Sequence, residues 1–165
     1  NTDYRWFYNL LLVASNAGAQ TPATVPIIPF VHWNTVFHPD KPAERIKQLS
    51  EQAYREFLWH ALLRGSDTFF LWCPAAEAEQ ESALLHAVWA EALQYGDWLD
   101  RGVPISFDVP TAQGPVVSGL RVGERVLVRR TDFDSKHPQP VVLEIDGRRL
   151  IVPPASGRCQ LLELE

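Results

Sequence analysis

The sequence predicts an α/β region over residues 1–101, followed by a small antiparallel β-sandwich over residues 102–165. Through residue 101, apolar residues at helical spacing alternate with short continuous apolar runs, a pattern typical of parallel βα units. From Gly102 onward the apolar runs become shorter, turn residues separate them, and the helical pattern ends. The boundary between the two regions is therefore expected at residues 100–104.

The chain begins with a predicted helix and a predicted strand. The segment TDYRWFYNLLLVASNAG has helical spacing, with Asp3 as a candidate cap and Gly18 as a candidate stop. Pro26 and Pro29 exclude a helix in the next segment. Ile27 to Val31 therefore indicate a short strand, which we expect to be buried on both faces.

The predicted order continues with a loop, a helix, a strand and a helix. Residues 34–49 are polar and indicate a long loop. Ser50 is expected to cap a helix that ends at Gly65. The run DTFFLWCP predicts a second buried strand, and residues 77–99 predict a helix with Leu93 on its apolar side.

The second region predicts six short strands. Asp146-Gly147 lies between two apolar stretches and is a strong hairpin signal. Short strands at this density predict a sandwich. The six runs are VPISFDVP, GPVVSGL, ERVLVRR, PVVLEID, RRLIVPP and CQLLELE.

Composition excludes several classes of function. The 165 residues are 46% hydrophobic and 21% charged, which is typical of a globular protein. A net charge of −5 provides no basic field for nucleic acid. No apolar run reaches the roughly 18 residues of a membrane span. The sequence has no G-x-S-x-G, P-loop or G-x-G-x-x-G motif, so neither a serine hydrolase of that kind nor a nucleotide site is indicated.

Cysteine usage and the first residue add two expectations. Cys73 and Cys159 lie far apart without metal-type spacing, so we expect no metal and no cofactor. A disulfide and two buried thiols both fit this pair. The chain starts at Asn1 and contains no methionine. This favours a processed product or part of a longer chain.

Most of the chain resembles a known class of enzyme. The run PIIPFVHW, the loop, the segment LSEQAYREFLWHALLRGSDTFFLWCP, the long helix and the β-rich tail carry the resemblance. Together they resemble the last two βα units of a (β/α)8-barrel glycoside hydrolase, hyaluronidase-like or of the retaining-glycosidase style, with an accessory β-sandwich. This implies hydrolysis of glycosidic bonds in a polysaccharide or oligosaccharide. It also implies an extracellular or periplasmic location.

The same resemblance assigns candidate binding residues. Active sites of such barrels lie at the carboxyl ends of the strands. There, Trp72 and Trp33 would stack on sugar rings, His32 and Asn34 would contact hydroxyls, and Glu77 would lie at the rim. Each residue also has a structural alternative. The two tryptophans would pack in the core or on a neighbouring loop, and His32 would be a hydrogen-bonded structural residue. Asn34 would be an ordinary turn residue, and Glu77 would be favoured at its position by the helix dipole alone.

The catalytic residues are not assigned. Glycosidases of this kind use two carboxylates. Many retaining enzymes carry a glutamate where this chain reads His32-Trp33-Asn34, and the acid of the fourth strand would lie outside this chain. The alternative is a non-catalytic protein, structural or carbohydrate-binding, that reuses the same architecture. Its expected partner is the rest of a longer chain or further copies of itself.

Four charged or titratable residues outside the candidate site are predicted to be structural. His60 and His86 lie on predicted helices and are expected to be surface or boundary residues. Arg129 and Arg130 alternate along a strand, so one should face solvent. The other is expected either to pair with Asp132 or Asp134 or to lie against the barrel.

Overall fold

The computed structural model describes residues 4–32, 36–38, 41–46, 49–133, 138–154 and 157–165, with backbone alone for 36–38 and 41–46. It shows a mixed α/β architecture of helices and several small sheets. Within these ranges the strands form no closed barrel.

The three predicted helices are present, but the last of them is divided into two helices by a 3-10 turn. Ser50 accepts a hydrogen bond from the Ala53 amide at 3.1 Å, which confirms the predicted cap. Leu93 is exposed, contrary to expectation, because the long helix ends one residue earlier. The helices are α1 (Tyr4–Gln20), α2 (Glu51–Leu62), α3 (Ala75–Ala92) and α4 (Gly96–Arg101), with a 3-10 turn at Leu93–Tyr95.

Gly18 does not end α1, which continues to Gln20. Its lack of a side chain serves packing instead. A Cβ atom on Gly18 would overlap the carbonyl oxygen of Arg64 and lie 2.6 Å from the Phe107 ring. The glycine therefore lets α1 approach the end of α2 closely.

The two predicted strands of the first region are confirmed and pair in parallel. They are β1 (Phe30–Val31) and β4 (Phe70–Leu71), with Phe30 opposite Phe70. Burial on both faces is wrong, however: Val31 is buried, whereas Phe30 and Phe70 are exposed. One face of this sheet packs on the helices and the other lies open.

Part of the predicted loop is a hairpin. Strands β2 (Val36–His38) and β3 (Lys41–Ile46) pair antiparallel, with a register irregularity after Phe37. The sequence did not predict β3, because this strand contains Pro42 and is mostly polar.

All six strands predicted for the second region are present. The backbone angles φ of Asp146 and Gly147 are 50° and 78°, as a tight two-residue hairpin turn requires. The strands are β5 (Val103–Pro104), β6 (Pro115–Val122), β7 (Arg125–Asp132), β8 (Val141–Ile145), β9 (Arg148–Val152) and β10 (Cys159–Glu163). They form a four-stranded sheet in the order β10-β7-β6-β5 and a separate hairpin, β8-β9.

The four-stranded sheet is covered on both faces. On one face, Val116 joins the core formed by α1, α2 and α3. On the other, Val126 and Val128 pack against Leu150 and Val152 of the β8-β9 hairpin. The sheet therefore contributes to one apolar cluster with the helices and to a second one with the β8-β9 hairpin.

Two further expectations concern membranes and thiols. No helix in the described part of the chain is long and apolar enough to cross a membrane. Cys73 and Cys159 are both free thiols.

Candidate functional site at the carboxyl ends of the parallel strands

The parallel strands end side by side at a polar cluster. His32 follows β1 directly, and Trp72 and Cys73 follow β4. The Trp72 amide donates to the Val31 carbonyl at 3.1 Å, which holds the two chain segments together. The carboxyl ends of parallel strands are where α/β folds place ligand sites.

A buried carboxylate organises this cluster. The Oε2 atom of Glu81, on α3, lies 2.8 Å from Nδ1 of His32, and its Oε1 atom accepts the Tyr54 hydroxyl at 2.8 Å. The Glu81 side chain is fully buried, while that of His32 is 15% exposed. Because a carboxylate only accepts hydrogen bonds, Nδ1 of His32 carries the proton in this contact.

The neighbours of Glu81 are held in their protonated forms. Burial, followed by the charge and hydrogen bond of Glu81, raises the pKa of the Tyr54 hydroxyl far above its usual range. Burial and the same carboxylate also raise the pKa of the Cys73 thiol. Since a reactive cysteine needs a lowered pKa, Cys73 is not prepared to act as a nucleophile.

Trp72 lies beside this cluster with its indole 67% exposed. It belongs to an apolar surface formed by Ile28, Phe30, Phe70 and Trp72, here called the aromatic face. The ring centroids of Phe30 and Phe70 are 5.0 Å apart, and those of Phe30 and Trp72 are 5.9 Å apart. The core alternative for Trp72 is therefore wrong in this structure.

The structure brings together two of the five predicted binding residues. His32 and Trp72 follow the ends of the two paired strands, whereas Trp33 and Asn34 lie outside the described residues. Glu77 lies in the first turn of α3, partly exposed and four residues before Glu81.

Sequence reasoning missed Glu81 and Tyr54. The spacing along α3 could have identified Glu81, because it lies three, four and seven residues before the buried Leu84, Leu85 and Val88. Residues at these intervals lie on the same side of a helix. An acid on the apolar side of a helix indicates a buried carboxylate with partners.

A second polar cluster lies between α2 and the four-stranded sheet. The surface location predicted for His60 is wrong, because the side chain is fully buried. Its Nδ1 atom lies 2.7 Å from the Ser118 hydroxyl, and its Nε2 atom lies 2.9 Å from the Thr131 hydroxyl. Arg64 donates to the Ser15 and Ser118 hydroxyls, at 2.7 and 2.8 Å. His86 is exposed, as expected.

Both arginines of β7 are buried, so the expectation that one faces solvent is wrong. Arg129 donates to Glu56 through two nitrogens, at 2.7 and 3.0 Å. Arg130 pairs with Asp132 at 2.8 Å, the type of partner that was predicted. The two arginines emerge on opposite sides of β7, but α2 covers one side and the β8-β9 hairpin covers the other.

Electrostatics assign this second cluster a structural role. Burial, and then the charges of Arg64 and Arg129, lower the pKa of His60 well below its ordinary value, so the ring is neutral. Burial lowers the pKa of Arg64 to about 10. These side chains are bonded to one another and closed to solvent, so the cluster fixes α2 on the sheet.

The His32 and Trp72 edge is therefore the candidate functional site. In the described part of the chain, no three His, Cys, Asp or Glu side chains converge as a metal site would require. No protein-family model, no curated protein and no solved structure matches this chain.

Proposed function

We propose that the carboxyl edge of β1 and β4 binds a polysaccharide or oligosaccharide, as part of a carbohydrate-active protein built from the last βα units of a barrel and a β-sandwich. The observation that carries this proposal is the exposed indole of Trp72 at the end of a parallel strand. A flat apolar ring at such a site presents a stacking surface for the C–H face of a sugar.

The neighbouring polar groups support recognition of hydroxyls. Glu81 holds the imidazole of His32 in a fixed orientation through Nδ1. Tyr54 holds the second oxygen of Glu81 and thereby keeps the carboxylate in place. A preorganised polar group beside an aromatic platform is a common arrangement of carbohydrate sites.

Hydrolysis of the glycosidic bond would require additional groups. Two carboxylates with access to the sugar are needed, but the side chain of Glu81 is fully buried and bonded through both oxygens. We therefore propose that this chain contributes binding residues and that the catalytic acid lies outside it.

Binding of defined sugars tests the proposal. Hexasaccharides of β-glucan, xylan, chitin and hyaluronan would be titrated into the protein by calorimetry. For the series that binds, Trp72→Ala should weaken binding about fivefold, since aromatic contacts contribute about 1 kcal/mol each. Trp6→Ala, which removes another exposed tryptophan on α1, is the matched control. Equal affinity of wild type and Trp72→Ala, or binding of none of the four sugars, would reject it.

A further inference from the structure

A cavity of about 330 Å³ lies at the amino ends of the two parallel strands, away from the candidate carbohydrate site. Ile27 and Asp67, which precede β1 and β4, form part of its wall. Leu62, Leu99 and Leu120 contribute to the wall from α2, α4 and β6. A volume of this size lies at the lower end of the range for small-molecule sites.

The Ser66 hydroxyl is a polar group in the wall of this cavity that the protein does not pair. The residue is only 7% exposed, and its amide donates to the Ala61 carbonyl at 3.1 Å. In the described part of the chain, no hydrogen bond reaches its side-chain oxygen, which stays accessible through the cavity. Because buried hydroxyl groups nearly always have a hydrogen-bond partner, this one indicates a polar group of a ligand.

Two carboxylates give the cavity its charge. The Asp67 amide donates to the Ile27 carbonyl at 2.9 Å, and its Oδ2 atom accepts the Ile27 amide at 2.7 Å. These bonds fix Asp67 beside Ser66 and use one of its two carboxylate oxygens. The Asp100 carboxylate, on α4, makes no ion pair within the described ranges. Among the described residues that line the cavity, none is Lys, Arg or His, so the charge favours a cation.

The rest of the wall is mostly apolar and includes the half-buried indole of Trp89. Such a wall favours an organic cation over a metal ion, because Ca²⁺ or Mg²⁺ takes about six or more oxygen ligands. In the described residues, moreover, no three His, Cys, Asp or Glu side chains converge. An aromatic ring in the wall is also a favourable neighbour for an ammonium group.

We propose that this cavity binds a small organic amine. Its ammonium group would donate to the Ser66 oxygen and to the carboxylates of Asp67 and Asp100, and its apolar body would pack against Trp89. At about 30 Å³ for each water-sized atom, the cavity holds roughly ten non-hydrogen atoms. A lysine side chain of another protein carries the same charge but would fill only about half of this volume. This inference does not depend on carbohydrate binding.

Titration with phenethylamine, an ammonium group joined to an apolar ring, tests the proposal. In two-dimensional NMR spectra of the full chain, we expect saturable shifts of the Ser66 and Asp67 amide signals and of the Trp89 indole N–H signal. Phenethyl alcohol, which lacks the charge, should bind about tenfold more weakly. No saturable shift with phenethylamine, or equal affinity for the alcohol, would overturn the proposal. Tighter binding of N-acetyl-lysine amide than of phenethylamine would also overturn it, because the occupant would then be a lysine side chain.

Matched carboxylate variants locate the amine in the cavity. Asp67→Asn keeps an oxygen for the Ile27 amide and should weaken phenethylamine binding about tenfold, as should Asp100→Asn. Asp97→Asn removes the same charge from α4 outside the cavity and should keep the wild-type affinity. Ser66→Ala should weaken binding about fivefold, the effect of losing a neutral hydrogen bond.

Wild-type affinity in either Asp67→Asn or Asp100→Asn would contradict the proposed position of the ammonium group. The same spectra show whether each variant is folded. Asp100 is exposed on a helix, so Asp100→Asn keeps the test decisive even if Asp67→Asn does not fold.

Discussion

The two sheets that contact the helices differ in which side chains they bury and which they expose. The four-stranded sheet buries Arg129 against Glu56 within its interface with α2. The parallel sheet instead exposes Phe30, Phe70 and Trp72 to solvent. Removing one partner of a buried ion pair is strongly destabilising, whereas a large exposed apolar patch is typical of an interaction surface. The first sheet is thus held to α2 by buried charges, whereas the second leaves apolar surface exposed to solvent.

Removing the buried carboxylate of the fixed interface should have the largest effect. Glu56→Gln leaves the guanidinium of Arg129 buried without a negatively charged partner, and we expect a loss of about 3–5 kcal/mol in the free energy of unfolding. Denaturant titration measures it. The control is Glu124→Gln at the exposed Arg148 pair, where the loss should stay below about 1 kcal/mol. Similar losses of unfolding free energy in the two variants would contradict the prediction, because the buried pair would then matter no more for stability than the exposed pair.

Acid should weaken the same interface through His60. Its folded-state pKa lies well below the ordinary value because of burial and two neighbouring arginines, so as the pH falls through about 6.5 only the unfolded chain takes up the proton. Stability should therefore fall by about 1.4 kcal/mol per pH unit below that point. The measurement is the free energy of unfolding between about pH 7 and pH 5, for wild type and His60→Gln.

The informative quantity is the difference in slope between wild type and His60→Gln, because carboxylates contribute equally to both. His86→Gln changes an exposed histidine on α3 and should keep the wild-type slope. A His60→Gln protein with an unchanged slope would show that the buried ring is protonated in the folded state.

The smallest effect is expected on the aromatic face. In the 165-residue chain, Phe70→Thr should cost less than about 1 kcal/mol, because more than half of the side chain is already exposed. Leu127→Thr, at a fully buried strand position, should cost about 2–5 kcal/mol. Urea titration of both variants compares the two sheets directly, and equal losses would mean that the face is covered in the isolated chain.

Much of the fold was predictable because it depends on local signals. The strands of the second region follow from alternation and turn residues such as Asp146-Gly147, and α2 begins at Ser50 as its capping chemistry requires. The open side of the parallel sheet was not predictable. Continuous apolar runs such as those around Phe30 and Phe70 are typical of strands buried on both faces.

The site was predictable only in part, for a related reason. His32 and Trp72 follow apolar strands and could be recognised by that position. Glu81 and Glu56 lie on helices that are rich in acids, where the partner of a buried carboxylate comes from distant sequence. No local sequence pattern indicates which distant residue pairs with a buried glutamate. The pairing can be identified only from the packed structure.

The buried pairing of Glu56 with Arg129 also has a consequence for the order of folding. Strands β6 and β7 are joined by a short turn and are expected to pair early, whereas 73 residues separate Glu56 from Arg129. Docking of α2 must desolvate both charges in one step, because either one buried alone would be strongly unfavourable. Arrangements of α2 that bury either charge away from the other are therefore disfavoured, which restricts how this helix can pack on the sheet.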